Sequence, residues 1–323
     1  MASQKQVGED DSLQNPKILI LGAGAIGSFY GGKLAQAGAR VSAICRSDYE
    51  VVAADGVHFE SVSGDFRFRP EKVIRNAVEY GEVPDYVLVA TKVLPEVDVP
   101  ELIRPVVNEK TAILLIQNGI DIEGSVAAAF PENEIISGLA FIAVSRMAPG
   151  YVRHQGYGRL TIGCYPSGIS KRVEALSTLF TKAGVPCIVT PDVVNARWLK
   201  LVWNAAFNPV SVLGGGVDTL TMLQSEECAG LLRAVMEEVC MVAKALGHEM
   251  PSDAVQKNIE ATLAMDPYKT SMLLDFEAGR PLEVEAIAGN AVRAARRAGV
   301  AVPHLESLYP LLKLADRKRR HLL

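Results

Sequence analysis

Short, unbroken apolar runs punctuate the first half of the chain, and apolar positions at helical spacing fill the second. Lys17-Ile18-Leu19-Ile20-Leu21, Val41-Ser42-Ala43-Ile44-Cys45, Tyr86-Val87-Leu88-Val89-Ala90 and Ala112-Ile113-Leu114-Leu115-Ile116 have strand length. The first is followed by a stretch that reads as a helix over 25–38, and the last two are each followed by a helical segment. Strands apolar on both faces and alternating with helices predict a parallel, doubly wound sheet. Between the second and third runs, Val57-His58-Phe59-Glu60 and Phe66-Arg67-Phe68-Arg69 alternate with period two around Ser63-Gly64, which predicts a hairpin. Further strands are expected over 135–142, 151–155, 159–163 and 187–190.

The texture changes near Thr190-Pro191-Asp192. Beyond it, helical periodicity predicts helices over 193–213, 226–246, 252–265, 282–298 and 304–313. The expected organisation is a disordered polar tail over 1–14, a nucleotide-binding domain over 15–190 and a helical substrate domain over 191–323. A small molecule would sit in a cleft between the two domains.

The turn after the first strand, Gly22-Ala23-Gly24-Ala25-Ile26-Gly27, gives that architecture a chemistry. Three glycines at this spacing make the turn, admit a pyrophosphate to the backbone and let the helix pack closely on the sheet. The helix start then offers unpaired N–H groups and its positive dipole end to phosphate. The fold class is therefore α/β, a Rossmann-type doubly wound sheet followed by an all-helical domain. At the end of the second strand stands Arg46, where a binder of the non-phosphorylated cofactor carries Asp or Glu. Arg46 accommodates a 2′-phosphate, which reads as NADP(H); the alternative is a solvated arginine at a strand end.

Composition narrows the classes further. With 323 residues, 49% of them hydrophobic, the chain can bury a core in each of two domains. A net charge of -4 gives no reason to expect nucleic acid or an anionic membrane as partner. Five scattered cysteines without a C-x-x-C pair read as reduced thiols, and five histidines without an H-x-x-x-H pair offer no metal site. The absence of a long apolar segment fits a soluble, cytoplasmic protein. Arg317-Lys318-Arg319-Arg320 reads as a solvated tail favourable to the last helix's dipole.

Several polar residues stand where burial is expected. The 193–213 helix is apolar almost all round, yet Lys200, Asn204 and Asn208 recur every four residues and form one polar stripe. Either another element satisfies this stripe structurally, or it lines a substrate cleft with a lysine of tuned pKa. Pro209 is expected to kink or break the helix and aim Asn208. Gln117-Asn118-Gly119 and Thr91-Lys92 end two strands, where doubly wound sheets present ligand groups; both are also compatible with ordinary loop chemistry. Lys92 is placed to reach phosphate or ribose. Farther on, Ser271 reads as a helix cap and Glu283 as a first-turn carboxylate, unless both belong to the pocket.

Taken together these residues resemble the ketopantoate reductase (2-dehydropantoate 2-reductase) family. The resemblance runs from Lys17 to about Leu314 and rests on the 22–27 turn, Arg46, Lys92, Gln117-Asn118-Gly119, Lys200 with Asn204 and Asn208-Pro209, Thr270-Ser271-Met272-Leu273, and Gly279-Arg280-Pro281-Leu282-Glu283. It implies that Lys200 is the general acid and that Glu283 contacts the substrate's hydroxyl end. Asn118 would touch both cofactor and substrate, Asn204, Asn208 and Ser271 would line the substrate pocket, and Ala143 would border the cofactor. The implied reaction is metal-free, NADPH-dependent reduction of 2-dehydropantoate to (R)-pantoate, a step toward coenzyme A.

One departure bears on the substrate. Family members commonly carry an asparagine before Gly-Glu-Leu where this chain has Gly216-Val217-Asp218-Thr219-Leu220. An Asp218 facing the pocket would add negative charge beside an anionic substrate. Two other readings therefore stay open: an NADP-dependent reductase of another 2-oxo acid, and a non-catalytic NADP(H)-sensing protein. A homodimer is plausible from the family and from the apolar helices.

Overall fold

A computed structural model of the chain describes residues 15–321, so the expected tail over 1–14 lies outside the described residues. The chain separates into two compact units. Residues 15–91, 98–117 and 123–193 form the first; residues 92–97, 118–122 and 194–321 form the second. Two short segments of the expected nucleotide domain, just beyond strand ends, thus belong with the helices.

The first unit holds β1 (Lys17–Leu21), β2 (Arg40–Ile44), β3 (Val57–Ser61), β4 (Phe66–Phe68), β5 (Val73–Ile74), β6 (Tyr86–Val89), β7 (Ala112–Leu115), β8 (Ile135–Ala148), β9 (Tyr151–Cys164) and β10 (Cys187–Val189). Around them run α1 (Ala25–Gln36), α2 (Tyr49–Asp55), α3 (Val99–Ile103), α4 (Gly124–Ala129) and α5 (Lys171–Lys182). The sequence β5-β2-β1-β6-β7-β8 is parallel throughout, the strand order of a dinucleotide-binding sheet. β6 and β7 are buried along their whole length, as their uninterrupted apolar runs require. β9 joins β8 antiparallel, β10 pairs with β9, and the β3–β4 hairpin docks through β3 on β9.

The sequence divides β9 into two strands, whereas the structure makes one. Gly156, Tyr157 (φ 63°) and Gly158 (φ 124°) interrupt its alternation, and the β8–β9 register shifts at Phe141/Ile142 and Ala143/Val144. These bulges absorb the irregular residues without ending the ladder. The extended β8 and β9 carry a long hairpin tip well past the Ile142 end expected for β8.

Helix α1 follows β1 after the glycine turn and is buried over most of its length. Glycine permits that approach: a Cβ on Gly27 would lie 2.2 Å from the Gly22 carbonyl oxygen, and one on Gly31 2.2 Å from Ile20 Cδ1. At Gly22, with φ +93°, a Cβ would meet the Thr91 nitrogen at 2.5 Å.

The second unit is built on α6 (Val193–Leu213), α7 (Thr219–Gln224), α8 (Glu226–Ala245), α9 (Ala254–Leu263), α10 (Ser271–Glu277), α11 (Asn290–Ala298) and α12 (Pro303–Arg319). Its core joins Trp198, Val202 and Phe207 of α6 to Val235, Met236 and Val239 of α8 and to Ile287, Ala291 and Leu305. The buried Glu238 on α8 accepts the backbone N–H groups of His304 and Leu305, each at 2.9 Å, and so caps α12 from outside. Arg319 is exposed, as expected of the basic ending, and it also donates to the carbonyls of Phe276 at 2.9 Å and Glu277 at 3.0 Å, at the end of α10.

The expected break at Pro209 does not occur, and α6 continues to Leu213. Burial of Phe207, Val210 and Val212 holds the helix against the hydrogen bond that proline forfeits. The expected 282–298 helix starts at Val284 and opens with a π-helical turn, Glu285–Gly289. Among the described residues no helix is long and apolar enough to cross a membrane.

Gly27→Ala tests the close packing of α1 directly. The variant is expected to lose about 1–3 kcal/mol of stability in chemical denaturation, because its new methyl group meets the Gly22 carbonyl.

Candidate active site

Most of the polar residues singled out in the sequence meet within the second unit. Lys200 stands on α6, two turns below Asn208, and its Nζ donates to Asn118 Oδ1 at 2.9 Å. The Asn118 Nδ2 donates in turn to Glu283 Oε2 at 3.3 Å, and the Val93 backbone N–H donates to Glu283 Oε1 at 3.0 Å. Cation, carboxamide and carboxylate thus form one chain. Its members come from α6, from the residue after Gln117, and from the loop before the π-helical turn.

Local chemistry fixes each contributor. Gly119 has φ +98°, and a Cβ there would lie 2.4 Å from the Ala286 carbonyl, so only glycine lets the 118–122 segment settle on the π-helical turn. The Ile120 N–H donates to that same carbonyl at 3.2 Å, and Asn290 Nδ2 donates to the Ile120 carbonyl at 2.5 Å. Arg197, buried one turn before Lys200, donates to the Gly119 carbonyl at 3.0 Å. The Glu283 loop is pinned as firmly. The nearly buried Asp316 accepts the Leu282 N–H at 2.9 Å, and Arg280 pairs with Asp275 at 2.7 Å. Lys92 reaches Asp275 at 2.6 Å and the Pro281 carbonyl at 2.7 Å. The sequence expectation puts Lys92 at phosphate or ribose; here its ammonium pairs with Asp275 and holds the Pro281 carbonyl, two residues before Glu283.

These surroundings tune the two ionisable groups toward each other. Lys200 is half-buried, and lost hydration around its ammonium, reinforced by the Arg197 charge and opposed by Glu283, lowers its pKa from 10.5 to about 8. Burial raises the pKa of Glu283 above the usual carboxylate value, against the Val93 and Asn118 hydrogen bonds and the Lys92 charge, which favour ionisation. A lysine poised near neutrality is suited to giving up a proton at physiological pH. Because its folded value lies below its ordinary one, the cost of burying its charge is borne in full below pH 8. That cost is relieved as pH rises from 8 toward 10.5.

Asn204 lies half-buried one turn beyond Lys200, and Asn208 is 1% exposed with no hydrogen-bond partner for its Oδ1. An unpaired buried carbonyl of this kind costs about 1–3 kcal/mol. Ser271 is exposed and opens α10, while the cap itself is Thr270, whose Oγ1 accepts the Leu273 N–H at 3.1 Å. Asp218 caps α7, accepting the Thr221 N–H at 2.8 Å.

The nucleotide features occupy the first unit. Gly24 precedes α1, is exposed, and has open space where a Cβ would stand. The first turn of α1 holds no acidic residue, and Gly24 supplies no side-chain cap, so its amides suit an anionic group. Arg46 is exposed two residues beyond Ile44, the end of β2, and its side chain has no ion pair among the described residues. Ala143 lies on β8 opposite Gly156, at a register shift. A dinucleotide therefore fits the residues present.

Sequence reasoning missed Arg197, Asp316 and the Val93 N–H. Arg197 and Lys200, two cations one turn apart in an apolar helix, were a usable signal. A backbone donor leaves none.

Comparison with known proteins shows the family. The family model described as Ketopantoate reductase PanE/ApbA matches residues 18–167, and its C-terminal counterpart matches residues 192–316. A 2-dehydropantoate 2-reductase from Nostoc sp. is 37% identical over 310 residues, covering 94% of this chain and 96% of its own. The crystal structure of 2-dehydropantoate 2-reductase from Methylococcus capsulatus superposes with a TM-score of 0.88 at 55% identity, covering 94% of this chain and 97% of that one. A ternary structure of D-mandelate dehydrogenase with NADH and anilino(oxo)acetate shares the fold, with a TM-score of 0.84 at 20% identity over 94% of this chain and 99% of that one.

The lowered pKa of Lys200 can be read without any substrate. Amine modification followed by peptide mass analysis is expected to label Lys200 with half-maximal rate near pH 8, well below the other lysines. Labelling that rises only above pH 10 would contradict the desolvated environment.

Proposed function

The chain belongs to the ketopantoate reductase family and is an oxidoreductase of that type, and from that premise we propose that it reduces 2-dehydropantoate to (R)-pantoate with NADPH. The observation that carries this reading is the Lys200–Asn118–Glu283 chain: a lysine of lowered pKa, oriented by a carboxamide that a carboxylate orients in turn.

The glycine turn over 22–27 and the start of α1 would hold the pyrophosphate of NADPH, with Arg46 at the 2′-phosphate and Ala143 along the cofactor. When bound, this cofactor supplies the hydride that the 2-oxo carbon receives. As the C=O electron pair moves onto oxygen, the Lys200 ammonium stabilises the developing negative charge and then transfers a proton to it. The product is the 2-hydroxy acid, and Lys200 is left neutral until solvent reprotonates it. A cation beside that oxygen is worth more in the transition state than in the ground state, because the charge appears only as hydride arrives.

Asn118 holds the Lys200 ammonium by its Oδ1 and is also assigned to the nicotinamide end of the cofactor. Glu283 takes the hydroxyl end of the substrate; its raised pKa reflects a site poor in water, where one hydrogen bond to a hydroxyl discriminates strongly. Asn204, Asn208 and Ser271 complete the substrate side, and the unpaired Asn208 Oδ1 is a preformed acceptor for a substrate donor. Lys92 acts by holding the Glu283 loop, and Asp218 by capping α7.

An NADPH oxidation assay over a panel of 2-oxo acids tests the assignment. Ketopantoate is expected to exceed analogues lacking the terminal hydroxyl by several orders of magnitude in kcat/KM, about 10⁴-fold being typical of a site built to bind a hydroxyl. In the same assay Lys200→Ala is expected to lower kcat by at least about 100-fold. Equal turnover of the unhydroxylated acids would move the reading to another 2-oxo acid, and near-normal turnover by Lys200→Ala would remove the lysine from the mechanism.

A further inference from the structure

A buried acid stands beside the proposed 2′-phosphate site, and an arginine from a distant part of the chain covers it. β2 runs beside β1 with Ile44 opposite Leu21, so residues 46–48 emerge at the same edge of the sheet as the glycine turn. Arg46 and Ser47 are exposed, whereas Asp48 is only 6% exposed. Asp48 precedes α2 but makes no side-chain cap to it. Its Oδ1 instead accepts from Ser47 Oγ at 2.7 Å and from the Arg146 guanidinium, which also donates to Ser47 Oγ at 3.2 Å.

Arg146 reaches this point because β8 continues past its pairing with β7 into the long β8–β9 hairpin. The hairpin tip folds back on α2 and β3: the His58 N–H donates to the Gly150 carbonyl at 2.8 Å, and a Cβ on Gly150 would lie 2.7 Å from Val51 Cγ1. The next acid along, Glu50, has its own partner in Arg75. Arg146 is therefore the cation that balances Asp48, and the exposed Arg46 keeps its charge unspent.

We propose that Arg146 is a selectivity residue for the 2′-phosphate, acting by neutralising Asp48. This rests on the NADPH reading of Arg46. A carboxylate at the end of the second strand is the group that favours an unmodified ribose and repels a phosphorylated one. Here such a carboxylate is present two residues after Arg46 and is masked. With Arg146 in place the three groups sum to one positive charge; without it they sum to zero, with a bare carboxylate beside a dianionic phosphate. If the ion pair served only to pin the hairpin tip, its loss would weaken every nucleotide alike.

The test is direct binding to the full-length protein by calorimetry at low salt, using NADPH, NADH, 2′,5′-ADP and 5′-ADP. Arg146→Ala is expected to weaken NADPH and 2′,5′-ADP at least about fivefold while changing NADH and 5′-ADP by less than about twofold, the difference shrinking at high salt. Adding Asp48→Asn to Arg146→Ala is expected to restore most of the lost affinity, and Asp48→Asn alone to leave NADPH binding intact or tighter. Equal weakening of all four ligands, no change in any, or failure of the double variant to recover would overturn the proposal. Wild-type protein that binds NADPH no tighter than NADH would instead overturn the reading of Arg46 on which it rests.

Discussion

A single carboxamide, that of Asn118, joins the two ionisable groups on which the proposed chemistry depends. An ammonium only donates and a carboxylate only accepts, so the amide between them has one orientation: oxygen to Lys200, nitrogen to Glu283. Much of the second unit serves to keep that amide in place. Gly119 exists so that the 118–122 segment can lie against the π-helical turn, and that turn presents the Ala286 carbonyl to Ile120. A π-helical turn is a strained insertion in a helix and recurs at functional sites. Here it begins two residues after Glu283 and serves as the seat for the chain segment that carries Asn118.

The carboxylate end is secured from three sides. Asp316 of α12 holds the Leu282 amide, Lys92 holds the Pro281 carbonyl, and the Val93 amide holds Glu283 itself. Asp275 ties Lys92 and Arg280 together. Lys92, Asp275 and Arg280 each make more than one such contact, which is the condition under which buried charge is tolerable. The same restraint keeps Lys200 from escaping to solvent. Desolvation lowers its pKa, Arg197 lowers it further, and Glu283 limits the fall, leaving an acid that is still charged at neutral pH but ready to part with its proton.

The parallel sheet and the glycine turn were legible in the sequence because uninterrupted apolar runs and glycine spacing are local signals. The span of α6 was legible for the same reason, and the Lys200, Asn204 and Asn208 stripe emerged from its periodicity. What could not be read were the outcomes decided by tertiary burial. Packing around Phe207 overrode the break expected at Pro209. The bulges near Gly156 and Gly158 joined two expected strands into β9. Asp218 and Thr270 became caps through local geometry that residue type alone does not assign. Only the fold reveals Asp275 across from Lys92. Arg146 lay beyond reach altogether, since nothing in the sequence marks a strand that runs on past its parallel neighbour to meet Asp48.

The central claim is that Lys200 and Glu283 act as one electrostatic unit through Asn118. The most direct measurement is the pH dependence of kcat/KM for wild type and Glu283→Gln, since this ratio titrates the free enzyme. In wild type the alkaline limb is expected near pH 8, where Lys200 loses its proton. Removing the Glu283 charge while keeping a hydrogen-bonding side chain is expected to move that limb to lower pH. An alkaline limb that stays in place or moves upward in Glu283→Gln would contradict the coupling.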